Sequence, residues 1–369
     1  MKKIKFLLLA MMAMMTATTF VACSDDDDDN NSVSENMARY QSEVDQVVKS
    51  QKKNSKAILL VAFGSTWQQA YDAFDLTRSE YEKVFAGYDV YLSFSSAICI
   101  NRARAAENTT ARSFYEPKYW LEAFGRVQYS EIIVQSMQVI PGEEFSRVVN
   151  AMKDFGNNSN GDLDDKYMSK VVLKLGMPLM YTVADAATLA GALHQNFSKY
   201  TQNGAMCFMG HGNPDEYDTY KANVRYTQLE NALQKLNKNY FVGTVDMADN
   251  YKVQVCNRMK AAGLTSGNVY CAPLMSIAGD HAHNDMAGDD DEWEASMATQ
   301  TEDEAEDVSW KKYFEHMGYI TEANGTYVDN GDNALVKGLL EYSNIRALYK
   351  NHTRQAEVVD FYHSMYPEE

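Results

Sequence analysis

Two histidines and an aspartate stand at equal intervals in the second half of the chain. His211, Asp246 and His281 each follow a short apolar run, and 35 residues separate each from the next. That interval is about one strand-helix-strand period. Two imidazoles and a carboxylate suit a borderline divalent ion such as Co(II), Fe(II) or Zn(II), with coordination positions left open for exchange. Each residue alone is weak evidence, but the three together predict a metal site.

The elements that must position these residues follow from the hydrophobic pattern. From Lys56 onward, short apolar runs alternate with segments of helical period, which is typical of an α/β fold with parallel sheets wrapped by helices. The carboxyl ends of parallel strands share one edge of a sheet, so the three residues are expected to meet there. The predicted strands are 57–63, 88–94, 131–140, 171–175, 205–209, 240–245 and 269–275.

The strand pattern is repeated, which divides the chain into two halves. We predict an N-terminal α/β domain over residues 53–185 and a C-terminal α/β domain over residues 186–332, with the junction near residues 182–198. A helical pattern at 335–349 lies in a C-terminal segment, 333–369, that is expected to pack back on the first domain. The second domain carries the predicted metal site.

Three segments around the predicted ligands resemble the signatures of anaerobic sirohydrochlorin cobaltochelatases. They are residues 209–212 (Met-Gly-His-Gly), 242–246 (Val-Gly-Thr-Val-Asp) and 279–290, which includes Asp-His-Ala-His-Asn-Asp-Met-Ala-Gly. The last of them is the most specific. Two further segments, 62–66 and 134–144, match the family in the first half of the chain.

The resemblance implies two Rossmann-like domains facing a cleft that binds the metal and a tetrapyrrole. By motif match, His211 takes the place of the family's catalytic base and metal ligand, and His281 that of its second histidine ligand. Asp246 stands where the family has a glutamate, and His283 is expected behind His281 or exposed. The implied activity is that of a chelatase, a lyase that inserts Co(II), or Fe(II), into sirohydrochlorin or a related tetrapyrrole. The chain has no phosphate loop of the Walker type, so no nucleotide is expected.

Four features depart from the family pattern. Asp246 is one methylene shorter than the family's glutamate, so the metal must sit closer or be reached through water. Residues 213–216 read Asn-Pro-Asp-Glu where a Thr and a further His are common, and Gln138 lies where a His is common. The family's short acidic turn is expanded into residues 289–307, which carry no Lys or Arg. A solvated acidic flap is the favoured interpretation of this insertion, and a metal-loading arm is the alternative.

Four side chains in the first half have two interpretations each. Ser65 and Thr66 end the first strand, where they are predicted to bind the tetrapyrrole through hydrogen bonds to a propionate or acetate. Their alternative role is to cap the following helix. Glu143 and Glu144 open a helix after a Pro-Gly pair, where acidic residues favour the positive end of the helix dipole. Contact with substrate is the second interpretation for these two glutamates.

The N-terminus has the pattern of an export and anchoring signal. Residues 1–22 place three lysines before an apolar run and small residues, which predicts a signal peptide. Residues 20–23 (Phe-Val-Ala-Cys) resemble a lipobox, so Cys23 is predicted to be lipidated; a plain secretory signal or an uncleaved anchor is the alternative. Five aspartates at 25–29 resemble the acidic tag of surface lipoproteins, and residues 23–52 are predicted to form a polar tether.

These features predict a cell-envelope protein, anchored by lipid to the outer membrane and facing the periplasm or the surface. The formal charge is −17, and loss of Lys2, Lys3 and Lys5 with the signal peptide brings it to −20, which argues against nonspecific binding of nucleic acid. Four further cysteines have apolar neighbours and lack Cys-x-x-Cys spacing, so they are predicted to be buried free thiols. The sequence leaves the oligomeric state open.

The predicted location leaves a second function open. The same cleft in an envelope protein would bind haem, a corrinoid or free metal without turnover, or remove metal from a scavenged tetrapyrrole. The shorter Asp246 and the two positions without histidine fit weakened catalysis. An assay of insertion into sirohydrochlorin, with and without metal, separates these functions.

Overall fold

Two compact units, Met1–Glu43 and Val44–Glu369, divide the chain. Cys23, the aspartates at 25–29 and residues 300–307 of the acidic insertion lie outside the described residues. Across the part of the chain that is described, every helix is too short or too polar to span a lipid bilayer. The structure, a computed structural model, describes residues 30–106, 111–289, 291–299, 308–321 and 336–361.

Seven strands follow the predicted apolar runs, with ends that differ by up to four residues, and two short strands near the C-terminus were not predicted. They are β1 (Lys56–Ala62), β2 (Tyr88–Phe94), β3 (Glu131–Ser136), β4 (Val172–Gly176), β5 (Gly204–Gly210), β6 (Tyr240–Thr244), β7 (Gly267–Pro273), β8 (Tyr319–Ile320) and β9 (Glu357–Val358). Every residue of β1 from Ala57 to Ala62 is buried. Because successive strand residues point to opposite faces, both faces of that sheet are covered.

The strands form two separate sheets. The first has the order β2-β1-β3-β4-β9, in which β9 is antiparallel to β4 and the other pairs are parallel. The second has the order β6-β5-β7-β8 and is parallel throughout. In the second sheet Gly210 pairs with Thr244 and Met209 with Pro273, so β5, β6 and β7 end at one edge. The prediction of an α/β fold with two parallel sheets is confirmed.

Amphipathic helices separate successive strands and pack on the sheets. In the second helix the buried positions are Ala70, Tyr71, Ala73, Phe74, Thr77 and Tyr81, the three-to-four-residue spacing of one helix face. The helices are α1 (Asn30–Gln51), α2 (Gln68–Val84), α3 (Ala97–Ala105), α4 (Pro117–Arg126), α5 (Glu143–Gly156), α6 (Asp165–Met168), α7 (Val183–Thr201), α8 (Val224–Leu236), α9 (Lys252–Ala261), α10 (Trp310–His316) and α11 (Ser343–Arg354).

The cysteines of the second sheet are buried, as predicted. Cys207 of β5 and Cys271 of β7 are register partners, and Cys256 lies buried on α9. All three are reduced cysteines outside any disulfide, and so is the half-buried Cys99.

The chain passes from the first sheet to the second along α7. The junction predicted near residues 182–198 falls in this helix, which is continuous from Val183 to Thr201. Thr182 and Asp185 form a capping box at its start: each side chain accepts a hydrogen bond from the backbone N–H of the other. The helix packs on β5 and α8, so its position is fixed by the second sheet.

The tether predicted for residues 23–52 is helical from Asn30 onward. In the larger unit, Val44 and Val48 of α1 are fully buried, and the Lys52 ammonium donates a hydrogen bond to the carbonyl of Val127. The polar composition concealed this pair of valines four residues apart, which form one helix face. The folded part of the first domain therefore begins before residue 53.

The acidic insertion is anchored by apolar side chains in its described part. Trp293 stacks on His316 of α10 with ring centroids 4.5 Å apart, and Met297 is buried. Asp291 forms an isolated bridge with Val308. Trp293 is half-buried and Met297 is buried, so apolar contacts hold this part of the flap, while most of the other residues in 291–299 are exposed.

Helix α11 returns the C-terminal segment to the first sheet, where it contacts β3 and β4. The Tyr349 hydroxyl donates to the carbonyl of Met137 at 3.0 Å. On α2, the Glu80 carboxylate accepts hydrogen bonds from Arg346 at 2.7 Å and from Lys350 at 2.5 Å. The hydrogen bond from Arg346 lowers the pKa of Glu80 to about 2, although burial acts in the opposite direction.

We predict that Glu80→Gln lowers the free energy of unfolding at pH 7 by about 1–3 kcal/mol, the usual contribution of hydrogen bonds to a charged group. A lowered pKa in the folded state means that Glu80 stabilises the fold above its unfolded pKa. That contribution is lost as pH falls from about 4.5 towards 2. Urea unfolding at pH 7 and pH 3 measures the difference.

The matched control is Glu82→Gln, which removes an exposed ion pair to Arg78 on the same helix. Exposed pairs contribute about 0–1 kcal/mol, so this variant should unfold nearly like the wild type. Equal stability losses in the two variants would contradict the role given to Glu80.

Candidate active site

The three predicted ligands lie at the edge where the strands of the second sheet end. His211 directly follows β5, and Asp246 comes two residues after β6. His281 lies further from its strand, at the start of a π-helix over Ala282–Met286. Single π-turns of this kind are frequent at functional sites.

The structure brings all three side chains together. His211 Nδ1 lies 3.2 Å from Asp246 Oδ2, and the rings of His211 and His281 are 4.9 Å apart and nearly perpendicular. About half of the His211 side-chain surface is exposed, so a substrate can reach it. Among the described residues, no three His, Cys, Asp or Glu side chains are already arranged as a set of metal ligands.

Hydrogen bonds assign the proton on each imidazole. His211 Nδ1 lies 2.9 Å from the carbonyl oxygen of Gly212, which can only accept, so Nδ1 carries the hydrogen. His281 Nδ1 lies 2.5 Å from the Asp285 carboxylate and is a donor for the same reason. Both histidines, when neutral, therefore keep Nε2 as a free lone pair, the atom that takes up a metal or a proton.

Asp285 controls the charge of His281. Burial lowers the pKa of His281, but the hydrogen bond and negative charge of Asp285, with the charges of Asp246 and Asp280, outweigh it, so the pKa is raised. A carboxylate behind an imidazole orients the ring and increases its basicity as a metal ligand.

Glu144 of α5 brings a carboxyl group from the first half of the chain towards the site. Its Oε2 accepts a hydrogen bond from the Ser95 hydroxyl at 2.8 Å, and its electrostatic interaction reaches His211. Burial raises the pKa of Glu144, although Arg147, Ser95 and His211 act against that rise. The favoured interpretation from the sequence was helix capping, which does not include this contact. The contact depends on Ser95, which follows β2 and is far from Glu144 in sequence.

The positions that depart from the family pattern have structural partners. Asn213 is buried, and its side-chain oxygen accepts a hydrogen bond from the backbone N–H of Glu143 at 3.3 Å. A Cβ on Gly142 would lie 2.4 Å from that oxygen, so a larger residue there would have to displace the Asn213 amide. Asn213 thus joins the two halves of the chain. Gln138 is buried too, and its Oε1 accepts from the Ser136 hydroxyl.

Ser65 and Thr66 are buried at the end of β1. Ser65 Oγ accepts a hydrogen bond from the backbone N–H of Trp67 at 3.1 Å. The N-cap position of α2 is Trp67, without a side-chain cap, so neither residue caps this helix as the alternative proposed. A Cβ on Gly279 would lie 3.7 Å from Ser65 Oγ, which puts Ser65 beside the segment that leads to His281. Binding of a tetrapyrrole carboxylate by Ser65 and Thr66 stays a prediction.

Residues 56–358 match the profile of the cobalt chelatase (CbiK) family. The chain belongs to this family. The match covers both sheets and all three predicted ligands, so the resemblance carried by the motifs, and with it the prediction of a chelatase enzyme, is confirmed.

Two relatives are similar in sequence to this member of the cobalt chelatase family. The sirohydrochlorin cobaltochelatase of Salmonella typhimurium is 27% identical over 243 residues, which cover 64% of this chain and 83% of the relative. The sirohydrochlorin cobaltochelatase CbiKC of Nitratidesulfovibrio vulgaris is 28% identical over 245 residues, which cover 66% and 79%. Among solved structures, SirB from Bacillus subtilis with Fe3+ has a TM-score of 0.48 and is 10% identical to this chain. The alignment covers 85% of this chain and 98% of SirB. A likeness at this TM-score carries no argument.

We predict that Asp285→Asn lowers the pKa of His281 in this chelatase, because the carboxylate that raises it is lost while the burial that lowers it remains. NMR titration of the labelled histidines, with His281→Gln for assignment, measures the change. Asp291→Asn removes a different carboxylate, which lies 2.5 Å from His316, and serves as the control that leaves His281 unaltered. An unchanged His281 titration in Asp285→Asn would refute the assignment.

Proposed function

We propose that this protein inserts Co(II) into sirohydrochlorin or a closely related tetrapyrrole. The observation that carries the proposal is the meeting of His211, Asp246 and His281 at one sheet edge, inside the segment that matches the cobalt chelatase family. The names of the two relatives support the same metal and the same ring. This support favours insertion over binding without turnover.

The chemistry of insertion needs a base beside an exchangeable metal position. Two pyrrolic N–H protons must leave as the ion enters the ring. In the proposed mechanism His211 accepts a proton at Nε2, since its Nδ1 is held by Gly212. Glu144, whose pKa burial raises, lies within electrostatic reach of His211 and serves as the next proton acceptor.

In the proposed mechanism, His211, Asp246 and His281 hold the incoming metal while its water shell is exchanged. Asp246 now contacts His211, so binding of Co(II) must exchange that contact for one to the ion. The Asp285 carboxylate would orient His281 throughout this exchange. We further propose that Fe(II) can substitute for Co(II), and that no nucleotide takes part.

We predict that substitutions separate the roles of the three residues. His211→Ala should abolish insertion, a loss of about 10²-fold or more, and also weaken metal binding, because base and ligand are removed together. His281→Ala should weaken both, with some rescue at high metal concentration. Asp246→Ala should cost less than either. Insertion is followed by the absorbance of the tetrapyrrole, and metal binding by calorimetry.

Asp246→Glu is the matched control, since it changes the reach of the carboxylate and keeps its charge. If Asp246 faces the metal, the longer side chain preserves or raises the rate of insertion. Unchanged metal affinity in all four folded variants would mean that the metal site lies elsewhere.

We also propose that the protein is an envelope lipoprotein attached to the outer membrane through Cys23, on its periplasmic or outer side. The support is the order of residues 1–29: lysines, an apolar run, Phe-Val-Ala-Cys and five aspartates.

We predict that radiolabelled fatty acid labels the wild-type protein and not Cys23→Ser, because the thiol is the site of acylation. Fractionation should move the variant out of the membrane fraction, with Cys99→Ser as the control that stays there. Labelling of Cys23→Ser would exclude the anchor.

A further inference from the structure

Two donors from the first half of the chain converge on one carboxylate of the second half. Trp67 Nε1 donates to Asp280 Oδ1 at 2.5 Å, and an Arg102 guanidinium nitrogen lies 3.7 Å from Asp280 Oδ2. About half of each of the Arg102 and Asp280 side chains is exposed. The contact is therefore open to solvent and to a competing ligand.

The Trp67 ring makes a second contact between the two halves of the chain. It stacks on the His283 imidazole with centroids 3.8 Å apart and an interplanar angle of 12°. We name Trp67, Arg102, Asp280 and His283 the latch. Within the part of the chain that is described, His283 Nε2 is buried without a hydrogen-bond partner, so the stack is held by ring contact.

The latch lies beside the proposed metal site. Asp280 directly precedes His281, and Trp67 directly follows the buried pair Ser65 and Thr66. The latch therefore joins the first half of the chain to the segment that carries His281.

The chemistry of the two donors defines what they recognise. An indole N–H and a guanidinium can only donate, so together they bind an acceptor group with negative charge. Sirohydrochlorin carries acetate and propionate side chains, which offer the same carboxylate as Asp280. In a chain with a net charge of −17, such donors offset the repulsion between the protein and a polyanionic substrate.

We propose that Trp67 and Arg102 form a carboxylate-binding subsite for the tetrapyrrole, and that Asp280 occupies it until a substrate carboxylate displaces it. This inference rests on the proposed function. Asp280 competes with the substrate, so the fraction of molecules with a free subsite sets the apparent affinity. Because the pair is exposed, the latch is weak enough for substrate to open.

The test is binding of metal-free sirohydrochlorin, followed by its absorbance, so that no metal insertion is involved. Arg102→Gln should weaken binding about 10-fold, the value of one charge-assisted hydrogen bond. Trp67→Phe keeps the ring and loses the donor, and should weaken binding about 3-fold. Asp280→Asn should tighten binding about 3-fold to 10-fold, because its neutral amide competes less well for the two donors.

A double variant separates the latch from a general effect of charge. If Asp280→Asn acts by freeing Arg102, most of its gain disappears in the Arg102→Gln background. If removal of one negative charge is the whole cause, the gain is the same in both backgrounds, which would overturn the proposal. Arg78→Gln, a surface arginine paired with Glu82, is the charge-matched control and should bind like the wild type.

The octamethyl ester of sirohydrochlorin provides the matched ligand. Its binding should not respond to Arg102→Gln, because the ester offers no carboxylate; an equal loss for acid and ester would overturn the subsite. Failure of the wild type to bind sirohydrochlorin at all would instead remove the proposed function, and the latch with it.

Discussion

The parallel register of β6, β5 and β7 is the constraint on which the site depends. Gly210 pairs with Thr244 and Met209 with Pro273, so three successive strands end at the same height. Chain segments that leave these ends start side by side, although His211 and Asp246 are 35 residues apart. The apolar strands therefore do more than form a core, because their alignment determines which polar residues can meet.

Spacing and strand order were sufficient to predict that His211, Asp246 and His281 lie together, while contacts that depend on tertiary structure were missed. His211 and Asp246 lie within two residues of the ends of their strands. His281 lies at the start of a π-turn that brings Asp285 to its ring, and hydrophobic periodicity carries no signal for such a turn. The contact from Ser95 to Glu144 depends on elements far apart in sequence and follows no local rule.

One other error had a readable signal. In the predicted tether, Val44 and Val48 are four residues apart, which is one turn of a helix. Mean polarity concealed this signal, because two apolar residues in a polar stretch are sufficient to attach one face of a helix to a core.

The return of α11 and β9 to the first sheet has a consequence for the order of folding. Glu80 binds Arg346, and Lys174 of β4 pairs with Val358 of β9, so the first half of the fold is completed by residues near the end of the chain. Contacts over such long separations slow folding, because the intervening chain must first be ordered. The N-terminal half cannot complete its fold as the chain is synthesised, whereas the strands of the second sheet are close neighbours in sequence. The half that carries the proposed metal site is thus the part able to fold first.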